Sequence, residues 1–596
     1  MASAGARSTN GSDFSSEDTR LRAPSVQVSA PMKKITALAA IAAVATLPFM
    51  APVLATAQEA EAAKAEAIIM PDPAPADMVD RVRSTVEFLA DDLLEGREAG
   101  KRGYELAARY VASKFTALGL KPGGIGGSYF QYIPFRHATL KEGSLKASVS
   151  GKPLDAGMLS IFPSVLESQT RLDGPLVFVG HGIKDDVLGI NDYAGLDVTD
   201  KIVVAMMGAP KGYDSEISAH LNSTKRDAAA MMGAKGIIYI SPAGAPLPKT
   251  EEAKKQFEAA KKKPLPTFSA TEWVKDGQSS AGVGGNIPLM FIKDHIAATL
   301  FDGAAMSLDQ VRAAMKDGAA PKSMALTSSL NVEADYEWRN FYSPEVIAIL
   351  PGSDPVLKNE YVAMTGHLDH IGMKDVPEGK DGINNGALDN ASGSATLIEA
   401  ARMFASSGKA PKRSVMFILH TAEEKGLLGA SYFAANPTVP IDSIVGSVNL
   451  DMPLVLFPFI DVVAFGGKHS TIEPALVEAA NSMGIKVSPD FMPEQSIFVR
   501  SDHYEMVKAG VPSIMLSPGT ANGGKAKWDH FLSTDYHQPS DEIDQGIDWD
   551  ALARFADLNY RIAKTMANGE VRTKWYEGNY FGDSFNPGGA RAKKAD

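Results

Sequence analysis

The sequence predicts an α/β protein, and three observations carry that prediction. From about Ser343 to Asn568 short apolar runs alternate with stretches of helical periodicity, the pattern of buried strands separated by helices. Several of those runs end on His, Asp or Glu, as strands do where an open α/β sheet gathers ligands beyond its carboxyl edge. The 596 residues are 45% hydrophobic and 22% charged, a globular composition that excludes a wholly disordered, collagen-like or coiled-coil chain.

The elements follow in chain order. Met32-Lys33-Lys34, an uncharged run from Ile35 to Leu54 and Ala55-Thr56-Ala57 have the form of a secretory signal peptide over 32–57, behind a polar extension. Cleavage after Ala57 would leave Gln58 first. The rival reading is an uncleaved anchor, against which stand the Ala-x-Ala site and the Pro48 and Pro52 breaks. No later segment has 18 uncharged apolar residues, so no stable membrane span is expected in the mature chain. The expected location is periplasmic or extracellular, which suits a chain with no cysteine. Residues 58–77 read as a flexible lead-in. Val79, Val82, Val86 and Leu89, then Tyr104, Ala108, Val111, Phe115 and Leu118, mark two helices, with a turn at Leu93–Arg97 between them.

From 141 to 330 the character changes to short β-like runs such as Leu176–Val179, Lys201–Ala205 and Gly236–Ile240, with a short helix at Asp227–Gly233. The Lys/Glu-rich helix at Thr250–Lys263 reads as a solvated face. Beyond it, strands are expected at Val346–Leu350, Tyr361–Thr365, Ser414–His420, Ile444–Leu450, Val462–Phe465 and Val511–Leu516. Helices are expected at Ala391–Ala405, Gly429–Ala434, Ile472–Met483, His503–Lys508 and Trp549–Met566. The expected division is 78–140 and 331–568 for one catalytic domain, 141–330 for an insert, and 569–596 for a tail whose aromatics dock on the body.

Composition also restricts the chemistry. A net charge of −12 disfavours nucleic acid as a partner. Without cysteine there is no disulfide, no thiolate nucleophile and no thiolate-ligated metal. Any metal must be held by His, Asp and Glu.

Those residues sit where strands end. Tyr361–Thr365 runs into His367 and Asp369, Ser414–His420 into Glu423 and Glu424, and Ile444–Leu450 into Asp451, while Asp389 opens a helix and His537 lies in a late loop. Each alone is a commonplace cap, turn or core residue. Together, two His and three carboxylates suit a pair of divalent ions roughly 3.5–4 Å apart. Imidazole and carboxylate donors favour zinc, with manganese or cobalt as alternatives. Adjacent Glu423 and Glu424 point differently, so one can ligate while the other serves as general base. Asp369 is placed to hold the far N–H of His367. His503 reads as structural, with a substrate pocket as the alternative, and His370, His420, His469 and His530 carry the same structural expectation. There is no Gly-x-Ser-x-Gly, His-Glu-x-x-His or P-loop.

Gly366-His367-Leu368-Asp369, Asp389-Asn390-Ala391-Ser392-Gly393, Glu423-Glu424-x-Gly426, Asn449-Leu450-Asp451 and Tyr536-His537-x-x-x-Asp541 resemble, in order and spacing, the M28 family of zinc peptidases. Leu93–Arg97 and Arg500-Ser501-Asp502-His503 resemble family segments too. Asp192–Asp197, Lys201–Val204 and Gly233–Ile238 resemble the protease-associated domain often inserted in that family. The resemblance implies a mixed central sheet flanked by helices, of zinc-exopeptidase type, with a mostly-β insert. It implies two Zn2+ ions bridged by Asp389, with His367 and Asp451 on one and Glu424 and His537 on the other. Glu423 would be the general base and acid, Tyr536 an oxyanion donor, and Asp389–Asn390 a cis peptide. The implied activity is exopeptidase action on peptides, most simply aminopeptidase action. The alternative is a non-catalytic receptor-like or glutaminyl-cyclase-like relative. Side-chain preference and oligomeric state stay open, and Arg500 is a candidate for reading substrate charge.

Overall fold

The computed structural model describes residues 70–243, 251–316 and 321–594. The leader assigned to 32–57 and most of the lead-in lie outside them. Among the described residues no helix is long and apolar enough to cross a membrane.

The main sheet has at its centre four parallel strands in the order Ser414–His420, Tyr361–His367, Ile444–Asn449, Ser513–Pro518. Every residue of Ser414–His420 is buried, which is why these strands read as unbroken apolar runs. Alternation still sorts the side chains. Val415, Phe417 and Leu419 join one core with Val346, Val362 and the helices Ala76–Leu89, Arg102–Ala117, Gly393–Ser406 and Trp549–Asn568. Met416 and Ile418 turn to the other face, against Phe433 and Met506 of helices Leu428–Ala435 and His503–Lys508. Helix Trp549–Asn568 starts where Asp548 accepts from the Ala551 N–H at 2.9 Å.

Antiparallel strands flank this centre. Asp461–Phe465 pairs with Ser513–Pro518 on one side, and Met324–Leu350 pairs with Ser414–His420 on the other. The latter is one strand of 27 residues, of which the sequence showed only Val346–Leu350. Its first part, through Asp335, pairs within a second sheet, and its last part belongs to the main sheet. A boundary at 330/331 therefore falls inside a continuous strand. Phe130–Leu140 runs antiparallel beside it, and Ser269–Lys275, from the range expected to form the insert, adds a further strand to the main sheet.

The insert's own sheet has Gln169–Phe178, Ile202–Met206, Gly236–Ile240 and Leu289–Ile292 in parallel register. Helices Ser215–Ser223, Lys225–Met231, Glu251–Lys262, Asp294–Thr299 and Leu308–Lys316 are as much a part of this region as the strands. The tail returns to the body: Trp575 and Phe581 are buried with Phe498, Tyr504 and Met515.

Candidate metal centre

The carboxyl ends of the parallel strands meet in one pocket. His367 is the last residue of its strand, Asp451 follows Asn449 closely, and Glu423 and Glu424 lie just beyond His420. Asp389 and Asn390 sit in an irregular helical turn, Ala387–Ser392, and are joined by a cis peptide. His537 arrives from the opposite direction with φ +58°. His367 Nε2 lies 3.0 Å from Asp451 Oδ1 and 3.3 Å from Asp389 Oδ1. His537 Nε2 lies 3.2 Å from Asp389 Oδ2 and 3.1 Å from Glu424 Oε2. The two oxygens of Asp389 thus face two different imidazoles. All five sequence-selected donors come together.

The chain's polar residues hold this geometry. Asn390 donates to the His367 and Leu450 carbonyls at 3.1 and 3.0 Å and accepts from the Met452 and Gly393 N–H groups. All four of its side-chain hydrogen-bonding positions are engaged. Asp541 accepts from the N–H groups of Leu388 and Asp389 at 2.9 and 3.0 Å, which fixes the turn carrying Asp389. Ser501 donates to Asp451 Oδ2 and accepts from Asn449.

Leu93–Arg97 is more than a turn. It is a short helix with positive φ at Glu95, Gly96 and Arg97, and the Arg97 side chain is buried. Its guanidinium donates to the carbonyls of Leu368 at 3.0 Å, Asn385 at 2.6 Å, Gly386 at 3.0 Å and Leu89. Gly96 has φ +67°, and a Cβ there would stand 2.5 Å from the Asn384 carbonyl oxygen, so glycine is required.

Two expectations change. The partner of His367 Nδ1 is the backbone carbonyl of Asp369 at 3.1 Å, while the Asp369 carboxylate stands 3.9 Å away. That carboxylate instead accepts from the Glu423 N–H at 3.1 Å. His370, expected to be merely structural, lies at the centre: its Nδ1 is 2.6 Å from Glu424 Oε1 and 4.0 Å from Asp389 Oδ2. The other histidines have local partners or none. His420 pairs with buried Glu345, His469 with Glu216, and His530 is largely exposed. His503 is buried with neither ring nitrogen hydrogen-bonded, and burial pushes it down to about 3.

Charge in the pocket is strongly coupled. Burial opposes an imidazolium at His367, but Asp451 and Glu423 outweigh it and hold the ring well above its ordinary value. His537 is likewise raised to about 10 by Glu424 and Asp389 against burial. Glu424 stays low, at about 2, because His537 and His370 overcome burial and the Asp389 charge. Glu423 behaves oppositely: burial, then the Asp451 and Glu424 charges, drives it well above the usual carboxylate range. Burial also raises Asp369 to about 7.

This donor set fits divalent metal. Ligand atoms of His367, Glu423 and Asp451 lie within 4.8 Å of one another, and so do those of His370, Asp389 and Glu424. Buried carboxylates this dense need a cation, and nitrogen and oxygen donors without sulfur suit zinc, manganese or cobalt. Beside them opens a cleft lined by Met452, Phe465, Ile497, Met515, Trp528 and Leu532, with Glu423 and Tyr536 beside the metal-type donors. Tyr536 stacks on His537 at 3.9 Å, and its hydroxyl accepts from Arg500 at 3.4 Å.

A mixed α/β sheet with a paired-donor pocket at its strand ends defines a candidate two-metal site. Residues 345–563 match the model of Peptidase family M28. Leucine aminopeptidase 1 of Trichophyton rubrum is 27% identical over 259 residues, 42% of this chain and 63% of that protein. Leupeptin-inactivating enzyme 1 of Streptomyces exfoliatus is 35% identical over 108 residues, 18% of this chain and 22% of that protein. The chain spans less than two thirds of the length of the curated relatives it matches first. Among solved structures, the aminopeptidase of Aneurinibacillus sp. strain AM-1 has a TM-score of 0.46 at 19% identity, covering 82% of this chain and 93% of that one.

Proposed function

We propose that the protein is an exported zinc exopeptidase with two metal ions, most simply an aminopeptidase, carrying a protease-associated insert. The observation that carries this reading is the Asp389 carboxylate, whose two oxygens face His367 and His537 at 3.3 and 3.2 Å. Asp389 is assigned as the bridge, His367 and Asp451 as ligands of one ion, and Glu424 and His537 as ligands of the other. His370, bonded to the second oxygen of Glu424, orients that ligand. The family's relatives support zinc: those named include probable zinc metalloproteases and leucine aminopeptidases.

Bound zinc supplies Lewis acidity toward a scissile carbonyl and acidifies water. Glu423 takes the proton of the attacking water and returns it to the leaving amine nitrogen, as a carboxylate lining the cleft beside the donors can. The Tyr536 hydroxyl, at the metal end of the cleft, donates toward the developing oxyanion. The apolar lining takes the side chain of the residue removed.

The test is Glu423→Gln. Turnover of an aminoacyl anilide is expected to fall by about 100-fold or more, the range of general acid–base contributions, with zinc content retained. Unchanged turnover would refute the assignment. A wild type that binds no zinc after metal addition would favour the receptor-like alternative.

A further inference from the structure

Two walls of the cleft are built from short, irregular pieces. One contains Gln495 and Ile497, from the turns Pro493–Gln495 and Ile497–Val499, with φ +53° at Ser496 between them. The other contains Phe465, at the end of its strand before Gly466. Single turns of this kind have little stability of their own and take their position from what packs behind them.

Behind them stands the insert. Its helix Ser215–Ser223 packs against both turns, and Ile217 packs against the cluster containing Phe498, Tyr504 and Phe581. Glu216 of this helix is 7% exposed. Its Oε1 accepts from the Gly466 N–H at 3.3 Å, and its Oε2 lies 2.7 Å from His469 Nε2 and 3.1 Å from Lys468 Nζ. Lys468 also pairs with Asp214, which caps the helix. His469 accepts at Nδ1 from the Asn579 amide at 2.7 Å, which leaves Nε2–H to donate to Glu216. The imidazole meets the Phe498 ring edge-on at 5.8 Å and the Phe581 ring at 5.1 Å. Gly466 is itself locked: a Cβ there would lie 2.5 Å from the Ser513 carbonyl oxygen and 3.1 Å from the Phe498 ring. One buried carboxylate of the insert thus holds the backbone beside Phe465 and, through His469 and Phe498, the turn carrying Ile497.

We propose that Glu216 is a positioning residue for substrate binding, holding the Phe465 and Gln495–Ile497 walls so that the insert sets the affinity for the substrate's side chain without reaching the reacting atoms. This rests on the peptidase reading above. The proposal separates binding from chemistry, because Glu216 contacts none of the metal-pocket donors.

The experiment uses the full-length zinc-loaded chain with leucyl, alanyl and glycyl p-nitroanilides. Glu216→Ala is expected to raise KM for the leucyl substrate about ten-fold and to narrow the leucyl-to-glycyl preference, with kcat within about two-fold. Glu216→Gln retains an acceptor for the Gly466 N–H and should fall between. Hydrogen exchange at 493–500 should accelerate in the same order. If the alanine variant does not fold, Glu216→Gln and Asn579→Ala, which frees the other edge of His469, supply the same readouts. Lowered thermal stability with wild-type KM, preference and exchange overturns the proposal while the peptidase reading stands. A zinc-loaded wild type inert toward every anilide overturns the peptidase reading and this inference with it.

Discussion

Asp541→Asn tests whether the loop carrying Asp389 is held for metal binding. Asp541 is fully buried, and its two oxygens accept from the adjacent N–H groups of Leu388 and Asp389 at 2.9 and 3.0 Å. Gln545 supplies a third donor at 2.6 Å. Asparagine keeps one acceptor oxygen and turns an NH2 toward the other backbone N–H, so one bond is lost and a donor faces a donor. Hydrogen bonds to a charged group are worth about 1.5–3 kcal/mol, and a stranded buried N–H costs about 1–3 kcal/mol. Residues that orient metal ligands typically govern about 10- to 100-fold in metal affinity. At about 1.4 kcal/mol per ten-fold, that effect takes up about 1.4–2.8 kcal/mol of the loss at Asp541. Competition of the apo protein against a chromogenic chelator should show zinc binding weakened by that factor. Activity should be lost at limiting zinc and partly regained at excess, with an unchanged far-ultraviolet circular dichroism spectrum. Zinc affinity within three-fold of wild type would refute the argument that this carboxylate fixes Asp389.

Arg97→Lys replaces a fork serving the carbonyls of Leu89, Leu368, Asn385 and Gly386 with a single ammonium. Two buried carbonyls left without donors cost about 2–6 kcal/mol, read as a lowered urea midpoint; an unmoved midpoint contradicts that role. Stability should also fall with acid in two stages. Burial pushes His220 down to about 4 and His503 to about 3 from 6.5, so the unfolded chain takes those protons first and stability declines below about pH 6.5. Glu216, whose hydrogen bond from His469 and ion pair with Lys468 outweigh burial and hold it at about 2 against 4.5, adds stability that is complete above 4.5 and is lost toward pH 2. That contribution is about 3 kcal/mol, and Glu216→Gln should flatten the melting-temperature curve below pH 4.5. A parallel curve for the variant would count against the pairing.

The site was legible because parallel strands buried on both faces announce themselves as apolar runs. Ser414–His420 and His503–Lys508 have the limits read from sequence, and the donors fall where those runs stop. What stayed hidden depends on contacts distant in sequence. Met324–Leu350 alternates buried and partly exposed positions over most of its length, so it shows no continuous run until Val346. Helix Gly524–Thr534 opens on glycine and buries only Trp528 and Phe531 among its large side chains, too sparse a stripe to see. Arg97 looked like a turn residue because its acceptors come from segments hundreds of positions later. His370 and Asp369 exchanged roles for a related reason: spacing along a strand end does not say which way each side chain faces once the loop leaves the sheet.

The long strand Met324–Leu350 has a mechanical consequence. Most two-lobed enzymes join their halves by loops, which absorb rotation at no cost to hydrogen bonding. Here the connection is a twin-stranded ribbon, Phe130–Leu140 laddered to Tyr336–Val346. Swinging one lobe against the other must therefore twist a rod instead of flexing a tether. Excising the insert demands a splice inside that ladder.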